Sequence, residues 1–141
     1  MAEIVHEVNI KAPREKVFEA ISTSEGVKSW WTDDALVEPK LGGKAEFGFH
    51  GRQTVFTMET TIFDRNEELT WKCLNGPGEW IGTSVTWLLT PKDGETQVRL
   101  EHINWRKTDG DFPSVKETWG KLVKILKDHV EGRNPGPYFK S

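Results

Sequence analysis

The sequence has a single cysteine, Cys73, among 141 residues. One thiol closes no internal disulfide and holds no metal by itself, which suits a reducing compartment, so a cytoplasmic protein is expected. No stretch approaches the roughly 18 consecutive apolar residues that would span a bilayer, and no membrane insertion is expected. The opening "MAEIVHEVNIKAP" alternates apolar with polar residues instead of placing a basic region before an apolar one, so it does not read as a signal peptide. Runs of Lys or Arg are also missing: 19 basic residues against 22 acidic ones give a formal charge of −3, which makes nucleic acid and anionic membranes poor partners.

Catalytic signatures are equally scarce. His6, His50, His102 and His129 lack the close spacing of zinc ligands, and no metal site is expected. There is no G-x-S-x-G nucleophile elbow, and "LGGK" lacks the spacing of a phosphate loop. Asp33 and Asp34 are adjacent, so on an extended segment their side chains diverge; a loop or capping role is expected rather than a catalytic carboxylate pair. No cofactor is implied.

What the chain does have is aromatic mass: seven Trp and seven Phe against one Tyr. Rings with so few hydroxyls to satisfy can line an apolar interior. With 35% hydrophobic and 29% charged residues, the balance is that of a soluble globular domain, and the length suits one core; residues 1–141 read as a single domain.

The periodicity gives the layout. Residues 3–11 alternate, with Ile4, His6, Val8 and Ile10 on one face, as in a half-buried antiparallel strand. "KAPREKVFEAIST" then spaces Val17, Phe18, Ala20 and Ile21 helically after Pro13, and "EGVKSWW" forms another turn or short helix. Period two returns for strands at 35–38, 44–50, 53–63, 67–74, 80–90 and 95–105, joined by turn-rich segments into an antiparallel meander. From Pro113, Val115, Trp119, Leu122, Val123, Leu126 and Val130 recur at steps of three and four, marking one long amphipathic helix that Gly132 and Pro135 stop. "RNPGPYFKS" reads either as a loose tail or as a segment returning to the surface.

A meander curled around that helix would turn inward Ala45, Phe47 and Phe49; Phe56, Met58 and Ile62; Leu69, Trp71 and Cys73; Ile81, Thr83, Val85, Trp87 and Leu89; and Val98, Leu100, His102 and Asn104. Among these, His6, Thr83, His102 and Asn104 are polar. Each is either paired within the core or is a polar anchor for a ligand in an apolar cavity. Cys73 reads as a small buried hydrophobe.

"VNIKAPREKVFEAIS", "VKSWWTDD…VEPKLGGKAEF", "ELTWKC", "VTWLLTPKDGETQVRLEH" and "WGKLVKILKDHVE" occur in this order over nearly the whole chain. Together they resemble the START-like or SRPBCC superfamily, and within it the group similar to the activator of the heat-shock-protein-90 ATPase. The resemblance implies an α+β helix-grip fold: a seven-stranded antiparallel sheet around a long C-terminal helix, with two short helices after the first strand. In many relatives a cavity between sheet and helix accepts lipids, sterols, polyketides or plant phenolics. It also implies that Trp30 or Trp31 plugs the space between helix and sheet.

Three functions follow as expectations. The first is binding of a hydrophobic small molecule, with Phe47, Phe56, Met58, Trp71, Val85, Trp87, Val98, His102, Asn104 and Trp119 around it, so that Trp71, Trp87 and Trp119 respond to a ligand together. The second is a chaperone-associated interaction module similar to the ATPase activator, in a stress response; the chain departs from the full-length activator in lacking its separate N-terminal domain. The third is a cofactor-free cyclase or hydrolase in which His102, with Asn104 nearby, is the acid or base. Binding is the expectation favoured over catalysis.

Overall fold

A computed structural model describes residues 2–76 and 78–140. Its elements follow the order β1 (Ala2–Ile10), α1 (Arg14–Ser22), α2 (Ser24–Lys28), β2 (Asp34–Val37), β3 (Lys44–Phe49), β4 (Thr54–Asp64), β5 (Glu68–Asn75), β6 (Ser84–Lys92), β7 (Glu95–Trp105) and α3 (Phe112–Val130). The strands form one seven-stranded sheet in the order β1-β7-β6-β5-β4-β3-β2, with every neighbouring pair antiparallel. From β2 to β7 the chain is a meander. β1 pairs with β7 instead of β2, so α1 and α2 carry the chain across to the opposite edge of the sheet.

The crossing is tight. A Cβ on Gly26 would lie 2.7 Å from the Ala20 Cα, so only glycine lets α2 turn this closely against α1. Thr23 caps α2 by accepting from the Gly26 N–H at 3.0 Å, and two residues beyond the helix come Trp30 and Trp31. Both are buried. The Trp30 indole donates to the Ala20 carbonyl at 2.8 Å and meets Trp87 edge to face, which binds the crossover to the sheet.

The concave face of the sheet closes on α3 through the stripe Trp119, Leu122, Val123, Leu126 and Val130, all buried. At about 1.5 to 3 kcal/mol for each large side chain, this stripe is a main source of the fold's stability. Where the chain doubles back, β1 runs so close to α3 that a Cβ on Gly120 would stand 3.2 Å from the His6 ring. His6 is half-buried there, its Nε2 2.7 Å from the Lys116 carbonyl.

Three expected inward residues are corrected. Ile62 is exposed because a bulge between Thr60 and Ile62 inserts one residue in β4, so the inward side that runs through Phe56, Met58 and Thr60 continues at Phe63 instead. Asn104 is exposed because it takes a left-handed φ of 72° in a bulge of β7 opposite Ala2–Ile4, and Trp105 is buried in its place. Ile81 is exposed because β6 begins only at Ser84: Trp80 to Thr83 form a turn, closed by the Thr83 N–H on the Trp80 carbonyl at 2.9 Å, that puts Trp80 inside.

Candidate functional site

Trp31 is the residue from which the interior is organised. Its ring lies 4.5 Å from Phe47, 5.2 Å from Trp119 and 6.2 Å from Trp71, centroid to centroid, stacked on the last. Behind it Trp71 and Trp87 meet at 75°, and Trp87 meets Trp119 at 83°. The Nε1 atoms of Trp71, Trp87 and Trp105 are buried without a hydrogen-bond partner; for Trp71 and Trp87 the edge-to-face packing supplies ring contacts in its place. The middle of the sheet is therefore filled by the protein's own side chains. Phe47, Met58, Trp71, Val85, Trp87 and Val98, expected around a ligand, are all buried in this packing.

A cavity of about 200 Å³ remains on the other side of Trp31, open to solvent. Trp31 forms one wall; Phe49 and His50 come from the end of β3, Thr54 and Phe56 from β4, Trp80 from the turn before β6, and Ser114, Val115, Thr118, Trp119 and Leu122 from α3. Of the ten expected site residues, Phe56 and Trp119 line it. The others do not, Asn104 because of its bulge and the rest because the aromatic cluster separates them from the opening. The residues that sequence reasoning missed lie at one end of the fold. The signal that could have found them is turn chemistry: Trp80 stands between Gly78 and Gly82 in "NGPGEWIG", and His50 in the hairpin "FGFHGRQT".

That hairpin has an uncommon backbone: His50, Gly51 and Arg52 all have positive φ, at 54°, 66° and 70°. It is held by Arg52, which donates to Asp34 at 2.8 Å and to Glu46 at 2.7 Å. The chain end supports the same corner. Phe139 packs edge to face on Phe49 at 4.9 Å, and the main chain of Tyr138 and Phe139 donates to the Trp30 and Trp31 carbonyls at 3.1 and 2.8 Å.

His102 lies behind the cavity, fully buried between Trp80 and Trp105 at 4.5 and 4.7 Å. The Trp119 indole donates to its Nδ1 at 3.1 Å, which leaves the proton on Nε2 to be donated to the Thr83 hydroxyl at 2.8 Å; Thr83 in turn donates to the Trp80 carbonyl at 2.7 Å. Burial lowers its pKa to about 3. A histidine with both nitrogens engaged and no contact with the cavity is a strut between two of its walls, Trp119 and Trp80, and not a group that exchanges protons with a ligand. Burial likewise raises the Cys73 thiol to about 11, which leaves it protonated and unreactive near neutrality. Among the described residues no three His, Cys, Asp or Glu side chains gather as metal ligands, and no helix is long and apolar enough to cross a membrane.

The family of activator of Hsp90 ATPase homolog 1-like proteins matches residues 11–131. The chain belongs to this family. The structure of the Aha1 dimer from Colwellia psychrerythraea, solved in solution, is 30% identical and superposes with a TM-score of 0.84 over 94% of this chain and 98% of that one. A crystal structure of a Mesorhizobium loti protein, 21% identical, gives a TM-score of 0.81 over 94% of this chain and 98% of that chain. DynU16, a putative protein in the dynemicin biosynthetic locus, is 21% identical with a TM-score of 0.78, covering 99% of this chain and 51% of that one; at this identity the likeness is one of fold. No curated protein sequence matches the chain. Sheet order, helix placement and these likenesses together make the fold the helix grip of the START-like superfamily.

Proposed function

We propose that the protein binds a small apolar molecule in the cavity between the β3–β4 hairpin and the first turns of α3. The observation that carries this reading is the opening itself: three indoles and two phenyl rings surround about 200 Å³ of space beside the packed aromatic cluster. Concave sites walled by aromatic side chains with a few polar groups at fixed places are where small ligands bind. The test is an indole NMR titration with a panel of one- and two-ring aromatics. Trp31, Trp80 and Trp119 should shift saturably while Trp71 and Trp87, behind the aromatic cluster, stay still. Silence of all the indoles across the panel removes the reading.

The family match favours a second reading, a chaperone-associated interaction module. It is tested by adding the purified protein to the heat-shock-protein-90 chaperone from the same cell. Stimulated ATP hydrolysis supports it, and an unchanged rate together with no co-purification counts against it.

A further inference from the structure

The chemistry of the cavity lining narrows what it can hold, an inference that rests on the small-molecule reading above. The first constraint is size. An engineered apolar cavity of about 150 Å³ takes a benzene molecule, and drug-sized ligands occupy about 300 to 1,000 Å³. About 200 Å³ lies between these, enough for one or two fused rings and too little for a sterol or a long acyl chain.

The second constraint is charge. Among the described residues no Lys, Arg, Asp or Glu lines the cavity, and His50 at the hairpin is the one ionisable residue there. The nearest guanidinium on that hairpin, Arg52, is already shared between Asp34 and Glu46. A carboxylate moved from water into such a site loses hydration without gaining a charged partner, which is costly.

The third is hydrogen-bond polarity. The Thr118 hydroxyl donates to the Ser114 carbonyl at 2.8 Å, and the Ser114 hydroxyl to the Asp111 carbonyl at 3.1 Å. Both protons are spent on the main chain, so what these hydroxyls offer the cavity is lone pairs. Deeper in, His102 and Thr83 satisfy each other and Trp119 and give a ligand no polar anchor. Thr54 and His50 stand at the hairpin side of the opening, so on the α3 side a ligand's polar group would sit as a donor toward Ser114 and Thr118, with its rings among Trp31, Trp80 and Trp119.

We infer that the site selects a neutral, planar aromatic of one or two rings bearing a hydrogen-bond donor such as a phenolic hydroxyl, and rejects the corresponding carboxylate. The test uses 2-naphthol, 2-naphthoate and cholesterol with the full chain, read by the indole signals and by tryptophan fluorescence. The expected result is saturable binding of 2-naphthol that moves Trp31, Trp80 and Trp119, at least tenfold weaker binding of 2-naphthoate, and no response to cholesterol. The variant Val115→Phe, which places a ring in the cavity from a half-buried helix position, should weaken 2-naphthol binding at least tenfold; a preserved indole spectrum shows that it remains folded. Equal affinity for naphthol and naphthoate, or saturable cholesterol binding at the same indoles, overturns the selectivity while leaving the cavity a binding site. Failure of all three probes to move any indole overturns the binding reading and this inference with it. If Val115→Phe unfolds, Thr118→Val keeps the volume and removes one of the two acceptors, and it should cut the preference for naphthol over naphthalene severalfold, Ser114 retaining the remainder; an unchanged preference refutes the role given to Thr118.

Discussion

His102 is neutral in the fold because imidazolium would have to be desolvated among three indoles, and Trp119 Nε1–H already occupies the nitrogen that would take the second proton. Replacing it by Leu leaves the Trp119 indole N–H without its acceptor, while the Thr83 hydroxyl loses one bond and keeps the other, to the Trp80 carbonyl. The expected loss is about 2 to 4 kcal/mol in urea unfolding, combining one unpaired buried N–H with imperfect packing. A loss below about 0.5 kcal/mol would show that the relay contributes no stability. The same residue predicts a pH effect. Its folded pKa, about 3, is below its ordinary 6.5, so between these values the unfolded chain binds the extra proton. Stability is fully present above pH 6.5 and falls as pH drops toward 3, by up to about 1.4 kcal/mol per pH unit. The difference between wild type and His102→Leu across pH 7 to 4 isolates this term from the other histidines. A constant difference would mean that His102 is not held neutral.

At the scale of elements, the far end of α3 is fixed by Glu131. Its carboxylate, 6% exposed, accepts from the Lys127 ammonium at 2.6 Å, from Arg133 at 2.7 Å and from the Lys11 main-chain N–H at 2.7 Å, so helix, tail and the β1–α1 link share one anion. Burial raises its pKa, but these three donors outweigh that and hold it at about 2, below its ordinary 4.5. Its stabilising contribution is therefore present above pH 4.5 and lost as pH falls toward 2. Glu131→Gln should cost about 1 kcal/mol, near the low end for charge-assisted bonds because Lys127 and Arg133 stay partly solvated. Faster amide exchange at Lys11 is the local readout; unchanged exchange would show that the N–H does not depend on the charge.

Elements with an unbroken period were legible in the sequence. The α3 stripe from Trp119 to Val130 lies where its spacing puts it, and β3, β5 and most of β7 keep the expected inner register. Period two carries no mark of the residue at which it slips, so the bulges at Thr60–Ile62 and Asn104 were hidden, and with them the positions of Ile62, Asn104 and Trp105. The cavity was illegible for a related reason. Alternation says that Phe47, Trp71 and Trp87 point inward, but whether rings that point inward leave a gap depends on their volumes and rotamers. The gap falls on the side of Trp31 where a hairpin, a turn and a helix end meet, and none of these is periodic.

Across the whole molecule, the chain end returns to the crossover made more than a hundred residues earlier. The Phe139 carbonyl accepts from the Asp33 N–H at 3.1 Å, and a parallel bridge links Phe139 to Thr32, beside the pair of tryptophans that plugs the fold. This strap braces the wall of the cavity from outside, since Phe139 packs on Phe49 while Trp31 and Phe49 face inward. Phe139→Ala keeps the main-chain bonds and removes the ring. Losing a half-buried aromatic and its edge-to-face contact should cost about 1 to 2 kcal/mol. The effect should not be uniform: the Trp31 indole signal should shift or broaden, while Trp87, shielded behind the cluster, stays sharp. If Trp31 is unmoved although global stability falls, the tail is only a peripheral packing element. If Trp31 moves and 2-naphthol affinity falls with it, the wall facing the ligand is held in place from the far end of the chain.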